Sequence, residues 1–361
     1  MSRVGIRTIL LAAFLVAGVI PALVLVPVFF TSSRGMTAGL VADTLTARSH
    51  HVSVTLARGL YDHWRDIETA AQQISVNQSP EDLRDVVDGI QRSHEQFDWV
   101  GVASIDGSVV AANRGILEGA DVASRPWFRA GLQGPFAGDV HEAVLLQRIL
   151  QPDSTEPLRF VDLAAPLLEN GTARGVIGAH LNWGWLTELV EEIQQDSIEI
   201  ILVSRDGTIL LGPDGLEGTT PNVPSVRAAQ QGSARSFIET WPDGRSYLSA
   251  ITPTISYRNL PSFGWSIVVR QPADTALLPL RAAARNALVA FLVALGFVIL
   301  FGALVGGWIA QPARRLARNI DAAAAGTAQP PLPQAQRYRE VSLMDAAFQR
   351  LQSSIGLRTP R

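Results

Sequence analysis

An arginine and a tryptophan flank a proline in the stretch SRPWFRAG, residues 124–131. Proline is favoured at the first position of a helix, and it pushes the residue before it out of the helical region. We therefore expect a helix to begin at Pro126 and Arg125 to be extended just before it. A guanidinium beside the free N–H groups of a helix start can bind a carboxylate through two parallel hydrogen bonds. The Trp127 ring can close such a site as a flat wall.

The same two side chains also have a purely structural interpretation. Tryptophan is buried in most proteins for packing alone, so Trp127 can be an ordinary core residue and Arg125 a surface cap. The spacing of the residues leaves both interpretations open.

The composition limits the chemistry that this chain can perform. Its 361 residues contain no cysteine, which excludes disulfides, thiolate metal sites and cysteine nucleophiles. A net charge of −3 gives no reason to expect nucleic-acid binding. The sequence has no G-x-S-x-G, no H-E-x-x-H and no phosphate-binding loop, so we expect no enzyme, no catalytic residue and no cofactor.

Only 17% of the residues are charged and 47% are hydrophobic, which directs the search to a membrane. Residues 8–30 and 287–310 are uncharged runs long enough to cross a bilayer as helices. The first run is too long for the apolar region of a signal peptide, so we expect it to stay as an anchor.

Arginines mark the expected orientation of the two spans. They precede the first span and follow the second, at Arg3, Arg7, Arg314, Arg315 and Arg318. The positive-inside rule then places residues 1–7 and 311–361 in the cytoplasm. Residues 31–286 must lie outside, in the periplasm of a bacterium, and the chain is expected to be a multi-pass inner-membrane protein.

The exported part begins as a long helix and continues as short strands. One apolar stripe with helical spacing runs through Leu45, Val52, Leu56, Leu60, Trp64 and Ile67. It can pack on a sheet, on a partner chain or on both.

An internal repeat follows the stalk helix. VASIDGSVVAAN (102–113) matches LVSRDGTILLGP (202–213), and both contain Asp-Gly, which is typical of a hairpin turn. Asn170-Gly171 and Asp243-Gly244 indicate two more hairpins. The repeat predicts two copies of one sheet-based lobe.

With this arrangement, the chain resembles the double Cache sensor domains of bacterial transmembrane receptors. RPWF followed by a strand, and GVIGAHL late in the first lobe, carry most of the resemblance. It implies an α+β fold with a long stalk helix and two tandem PAS-like antiparallel-sheet lobes. The membrane-distal lobe would span about residues 78–185 and the proximal lobe about residues 197–272.

The resemblance also implies a ligand site. In double Cache domains that bind amino acids, an Arg-x-Trp holds the ligand's carboxylate, and Arg125 and Trp127 match it. The family adds a Tyr-x-Asp on the next strand and a later Asp that pairs with the ligand's amino group. This chain departs from both: FAGDVHEA has Asp139 and His141 on one strand face and no tyrosine.

The later position is His180, which shares a strand face with Asn182. An imidazole cannot pair with an ammonium group as a carboxylate does. We therefore expect a plain carboxylate, a dicarboxylate or another small anion, with Arg125, His141 and His180 supplying positive charge. Binding would then depend on pH, because imidazoles titrate between pH 5 and 8.

Two other interpretations of these histidines stay open. His141 and His180 can be ordinary hydrogen-bonded histidines. They can also hold a metal with Asp139, although no recognised ligand spacing is present and we expect no metal. The remaining histidines lie on or near polar helices and are expected to be solvated, namely His50, His51, His63 and His94.

The inner end resembles a HAMP domain, a parallel four-helix bundle made by two chains. An apolar heptad seam runs through Val341, Met344, Phe348, Leu351 and Ile355, after the connector GTAQPPLPQAQRYR. The alternative is a pair of helices lying on the inner leaflet. No output segment follows, so we expect the output either in a longer native protein or in a separate partner. That partner could be a histidine kinase, a diguanylate cyclase or a chemotaxis-type protein.

The sequence therefore predicts a homodimeric transmembrane sensor that binds a small extracytoplasmic ligand in the distal lobe. The bound ligand would shift the spans and the HAMP-like bundle. A ligand-free periplasmic dimerisation or protein-interaction module is the alternative, and an exported enzyme is disfavoured.

Overall fold

The computed structural model describes residues 6–75, 77–153, 157–194, 197–276, 278–325 and 339–354. The helices in these ranges are α1 (Ile6–Gln73), α2 (Pro80–Ser93), α3 (Pro126–Gly131), α4 (Val144–Leu150), α5 (Trp183–Ile193), α6 (Pro224–Gln230), α7 (Ala273–Ala276), α8 (Leu278–Ala324) and α9 (Arg339–Ser354). The strands are β1 (Phe97–Ser104), β2 (Val109–Ala112), β3 (Phe136–Ala137), β4 (His141–Glu142), β5 (Arg159–Glu169), β6 (Thr172–Asn182), β7 (Glu199–Val203), β8 (Ile209–Leu211), β9 (Ser236–Thr240), β10 (Ser246–Thr252) and β11 (Ser266–Pro272).

The chain divides into two compact units. Thr37–Leu278 forms one unit, which contains both sheets, and the described residues before and after it form the other. The connector 326–338 of the HAMP-like segment lies outside the described residues.

The two sheets are antiparallel and share one topology. The first has the order β2-β1-β6-β5-β3, with β4 also paired to β5, and the second has the order β8-β7-β11-β10-β9. In both sheets the second strand lies at an edge, beside the first strand, and the last strand lies on the other side of the first. The shared strand order agrees with the sequence repeat and with the predicted α+β fold of two antiparallel sheets.

The hairpin turns of the repeat have matching hydrogen bonds. Gly107 N donates to Ser104 O, and Gly207 N donates to Ser204 O. Both glycines have a φ of 90°, which side chains other than glycine rarely adopt. The Asp-Gly pairs are therefore explained by the turns that they make.

The apolar stripe of α1 is buried. Leu45, Val52, Leu56, Leu60, Trp64 and Ile67 are at most 2% exposed. They share one core with residues from both sheets, so the stalk helix packs directly on the sheets within Thr37–Leu278. Of the alternatives that the stripe left open, packing on a sheet is thus present.

His63 is not solvated, and that prediction is wrong. It is 5% exposed on α1, where its ring contacts Trp185 and Phe97. Burial has the largest effect on the pKa of His63, and it lowers this pKa below its ordinary value. His63 lies three and four residues from Leu60 and Ile67, so helical spacing already placed it beside the stripe.

Among the described residues, one segment is long and apolar enough to cross a membrane by length and composition, Arg281–Pro312 in α8. It includes the predicted span 287–310. The apolar segment found in α1 is shorter, Ala12–Pro21, so the span 8–30 stays a prediction. α8 continues without a break past Pro312, and the HAMP-like bundle also stays a prediction.

The apolar parts of α1 and α8 contact each other within their unit. The Phe14 and Phe301 rings are 6.2 Å apart, edge to face. A Cβ on Gly302 would lie 3.1 Å from the Cβ of Phe14, so the glycine allows the close approach of the two helices.

Candidate ligand-binding site

Pro126 begins α3 and sets the conformation of Arg125. Arg125 is extended, with φ −72° and ψ 137°, and precedes the helix. Its side chain is exposed, lines a cavity and makes no hydrogen bond or ion pair with the described residues. The guanidinium therefore keeps its donors available at the cavity.

Trp127 forms a wall of the same cavity and is 4% exposed. Its ring lies against β6 at Gly178, where a Cβ would be only 2.5 Å from the ring. The Trp99 ring is next to it, with ring centres 5.7 Å apart. A glycine in the middle of β6 therefore admits the indole onto the sheet.

His180 and Asp162 face each other across β5 and β6. His180 Nδ1 donates a hydrogen bond of 2.6 Å to Asp162 Oδ1. His180 is 8% exposed and Asp162 is 5% exposed. Each buried polar group thus satisfies the other, as buried polar groups generally must.

His141 completes this cluster from β4. Its Nε2 lies 3.7 Å from Asp162 Oδ1, and its Nδ1 lies 3.4 Å from the carbonyl oxygen of Asp139. The three side chains have one ligand atom each within 4.8 Å of one another. They are brought together by the strand register, although 39 positions separate the first from the last in the chain.

Asp139 and His141 do not share one continuous strand, which corrects the sequence interpretation. β3 ends at Ala137 and β4 begins at His141, so Asp139 lies between them. Asp139 Oδ1 accepts hydrogen bonds from the Trp265 indole, at 2.7 Å, and from the Val140 amide. Asp139 lines the cavity, but its carboxylate already has partners.

Asn182 lies outside the cavity lining. Its Oδ1 accepts a hydrogen bond from the Gly184 amide and caps α5, and its Nδ2 donates to Asp98. Burial raises the pKa of Asp98, and the hydrogen bond from Asn182 opposes that shift. The structure thus gives Asn182 a capping role.

The cavity has a volume of about 700 Å³, within the range of about 300–1,000 Å³ that is usual for small-molecule sites. Of the six residues proposed from the sequence, five line it: Arg125, Trp127, Asp139, His141 and His180. The charged lining is mixed and contains four acidic residues, Asp121, Asp139, Glu142 and Asp162, and two arginines, Arg125 and Arg148. Acidic groups therefore outnumber the guanidiniums, whereas the sequence suggested a site whose charge is mainly positive, with Asp139 as its one acidic residue.

Asp162 is the main residue that the sequence reasoning missed. It is an acidic residue in the apolar strand RFVDLAAPLL. A buried carboxylate is costly without a partner, so its place in that strand was the available signal. Its partner could not be read from the sequence, because the pairing depends on register.

The Cache domain family model matches residues 37–280. The chain belongs to the Cache domain family. Cache domains are ligand-binding sensor domains of receptors and kinases, which confirms that this chain is not an enzyme.

Solved structures with the same fold include other Cache-type ligand-binding domains. The ligand-binding domain of the Pseudomonas fluorescens chemoreceptor CtaA in complex with L-isoleucine is 21% identical to this chain, with a TM-score of 0.52. The match covers 68% of this chain and 98% of the CtaA chain. The domain of the Pseudomonas aeruginosa PAO1 amino acid chemoreceptor PctB in complex with L-Gln is 17% identical, covers 69% and 98%, and has a TM-score of 0.53.

The extracellular domain of the putative histidine kinase mmHK1S-Z2 is 12% identical, covers 66% of this chain and 99% of its own, and has a TM-score of 0.53. At these identities the likeness establishes the fold of this Cache domain and nothing finer. No curated relative matches the chain.

Proposed function

We propose that this Cache protein is a transmembrane sensor that binds a small carboxylate-bearing ligand in the cavity of its first sheet. The observation that carries the proposal is the guanidinium of Arg125, which pairs with none of the described residues and lies at a cavity walled by Trp127. Hydrogen bonds between a guanidinium and a carboxylate are charge-assisted and about twice as strong as neutral ones. A preformed cavity with apolar walls and a few charged side chains also favours ligand binding over a ligand-free protein-interaction module.

A zwitterionic amino acid is a second candidate, and Asp162 favours it. The sequence argued against such a ligand because His180 stands where the family places an acidic residue. Asp162 lies directly across from His180 and supplies a carboxylate in the same cavity. The CtaA and PctB domains bind L-isoleucine and L-Gln, and a similar ligand here could pair its carboxylate with Arg125 and its ammonium with Asp162.

The proposed signalling path starts from the shared core. α1 packs on both sheets, and a ligand that binds one conformation more tightly would shift the equilibrium of α1 between two positions. In the proposed topology, residues 8–30 and 287–310 span the inner membrane and residues 31–286 lie in the periplasm. A dimeric HAMP-like segment would carry the change to a kinase, cyclase or chemotaxis-type output.

Thermal unfolding of the full-length chain in detergent tests the ligand class. The screen pairs each amino acid with the acid that lacks its amino group, such as leucine with 4-methylpentanoate. A ligand at 100 times its Kd stabilises by about 2.7 kcal/mol, which raises the Tm by about 5 °C or more. A shift from both members of a pair supports a plain carboxylate site, and a shift from the amino acid alone supports the zwitterion.

The matched control is Arg129→Ala, an exposed arginine on the same short helix that does not line the cavity. Arg125→Ala should lose the shift and Arg129→Ala should keep it. Equal shifts in both variants, or no shift from any acid in the screen, would contradict the proposed site.

A further inference from the structure

The cavity contains a second possible anchor besides Arg125, made by His141, Asp162 and His180. These residues come from the neighbouring strands β4, β5 and β6, and all three line the cavity. Their ligand atoms lie within 4.8 Å of one another. Two of the three, Asp162 and His180, are more than nine-tenths buried.

We propose that His141, Asp162 and His180 bind a divalent transition-metal ion of the zinc class, with an open coordination position toward the cavity. This inference deepens the proposed function, because the ion would be a second anchor for an anionic ligand, but the ion site itself does not require Arg125. Two imidazoles and one carboxylate form a donor set that Zn²⁺ uses where it keeps an open position. The chain has no cysteine that could offer a competing thiolate site.

His141 lies between Asp162 and a backbone carbonyl. Its Nε2 lies 3.7 Å from the carboxylate oxygen Asp162 Oδ1, and its Nδ1 lies 3.4 Å from the carbonyl oxygen of Asp139. With its proton on Nδ1, a ring held in this way can offer the lone pair of Nε2 to an ion beside Asp162. In metal-bound histidines, the ring nitrogen that does not bind the metal usually donates its N–H to a partner such as a backbone carbonyl, which orients the ring.

Two of the three ligand-atom distances lie within about 0.7 Å of the value that an ion requires, and the third, between the two histidine nitrogens, is within 4.8 Å. Bonds of about 2.0 Å in tetrahedral geometry place neighbouring ligand atoms about 3.3 Å apart. The His141 Nε2 to Asp162 Oδ1 distance of 3.7 Å would shorten slightly, and the His180 Nδ1 to Asp162 Oδ1 distance of 2.6 Å would lengthen. The ion would replace the proton that His180 now shares with Asp162, as metal binding generally does.

The charge of the cavity also favours a cation. Its acidic groups outnumber its guanidiniums. Asp162 is buried and hydrogen-bonded to His180, whose ring contacts those of Phe160, Trp99 and Trp127. A divalent ion bound to Asp162 would make the charge at this part of the cavity positive. A carboxylate could then bind between the ion and Arg125, which an acidic wall alone would disfavour.

The ligand types distinguish this site from one for an ammonium group. Oxygen acceptors are sufficient for an ammonium, whereas imidazole nitrogens are the commonest metal ligands in proteins. Here two imidazoles converge on one carboxylate oxygen. Ammonium binding at Asp162 is therefore an alternative outcome that the experiment must separate.

The test is titration of the full-length chain, purified without an oligohistidine tag and treated with chelator, with Zn²⁺ by calorimetry and with Co²⁺ by visible absorption. We expect one saturable site per chain and the absorption of four-coordinate Co²⁺. His141→Ala and Asp162→Asn should each weaken Zn²⁺ binding by about 100-fold or more, since even outer partners of metal ligands are worth 10–100-fold.

Two variants serve as controls that should keep the site. His51→Ala removes an exposed histidine of α1, and Arg125→Ala removes the other proposed anchor. If Asp162→Asn fails to fold, His141→Ala decides the matter, because His141 is only half-buried at the cavity edge. No saturable binding to the wild type, or equal binding by His141→Ala and His51→Ala, would overturn the metal site.

The two proposals can fail separately. Carboxylate binding that is unchanged by chelator and by His141→Ala, with no ion bound, would overturn the metal site and leave the sensor proposal standing. Zn²⁺ binding that is lost in His141→Ala, with no carboxylate bound at any Zn²⁺ concentration, would support the metal site and contradict the carboxylate ligand.

Discussion

The two sheets place different residues at equivalent ladder positions. In the first sheet His180 pairs with Trp99 on β1 and with Asp162 on β5. In the second sheet the same position is Arg270, which pairs with Glu199 on β7 and with Ser249 on β10. The two copies of the repeat therefore share the same strand pairing but carry different side chains at equivalent positions.

The second sheet fills the space above that position with its own side chains. Arg270 is 3% exposed and donates from Nε to Glu199 Oε2 at 2.6 Å. Its guanidinium carbon lies 4.3 Å from the centre of the Trp241 ring and 4.0 Å from that of Tyr247. An internal arginine thus takes the place that a cavity takes in the first sheet.

Two glycines of the first sheet allow the aromatic rings that wall the cavity to lie directly on the strands. Gly101 pairs with Gly178, and a Cβ on either would collide with the Trp99 or the Trp127 ring. The equivalent pair in the second sheet is Ile201 and Val268, which are buried core residues. Small residues at these two positions let flat aromatic rings lie on the sheet, so sheet topology alone does not decide whether a lobe has room for a ligand.

Arg270→Ala should have the largest effect on stability, because it removes a buried side chain and empties the space between two rings. Large-to-small substitutions in a core cost about 2–5 kcal/mol, while the remaining Glu199 side chain is 28% exposed and stays partly solvated. Denaturant unfolding of the full-length chain, followed by tryptophan fluorescence, measures the loss. Arg235→Ala, an exposed arginine of the same sheet region, should change stability by less than about 0.5 kcal/mol. A loss of under 1 kcal/mol for Arg270→Ala would show that the filled site is not a structural element.

Gly178→Ala tests the wall of the first cavity. The new Cβ would lie 2.5 Å from the Trp127 ring, and the ring must move. We expect a stability loss of about 1–3 kcal/mol, as for other overpacked cores, together with weaker ligand binding. Gly89→Ala in α2 is the matched control, since an added Cβ there would meet nothing within 4 Å beyond the helix's own backbone, and it should stabilise the helix by up to about 1 kcal/mol. If Gly178→Ala and Gly89→Ala behave alike, the close packing of Trp127 on β6 is not what shapes the cavity.

The two sheets should also differ in their response to pH. All six histidines precede residue 181, so none of them lies in the second sheet. Burial lowers the pKa of His63, so the folded state binds fewer protons there than the unfolded chain. The contribution of neutral His63 to the free energy of unfolding should be fully present above about pH 6.5. It should fall as the pH drops below that value, by at most about 1.4 kcal/mol per pH unit.

His63→Leu should flatten this acid-side fall in Tm between pH 5 and 7. His51→Ala, at an exposed position of the same helix, should leave it unchanged. A wild-type Tm that rises on acidification, or an equal fall in His63→Leu, would place the pH dependence elsewhere.

Local signals predicted the parts of this fold that depend on neighbouring residues. The stripe of α1, the Asp-Gly turns and the helix start at Pro126 each follow from a few adjacent positions. The broken strand at Asp139 and the pairing of Asp162 with His180 depend on strand register across the sheet. Register is fixed by long-range packing, so the sequence suggested Arg125 and Trp127 but not Asp162, the buried carboxylate that lines the same cavity.

The most direct test of the central claim is a calorimetric titration of the full-length chain with the best carboxylate from the thermal screen. The account predicts saturable binding to the wild type and to Arg129→Ala, and binding that is about 10- to 100-fold weaker in Arg125→Ala, the usual value of a hydrogen bond to a charged group. An Arg125→Ala variant that binds the same carboxylate with the wild-type Kd would contradict the claim.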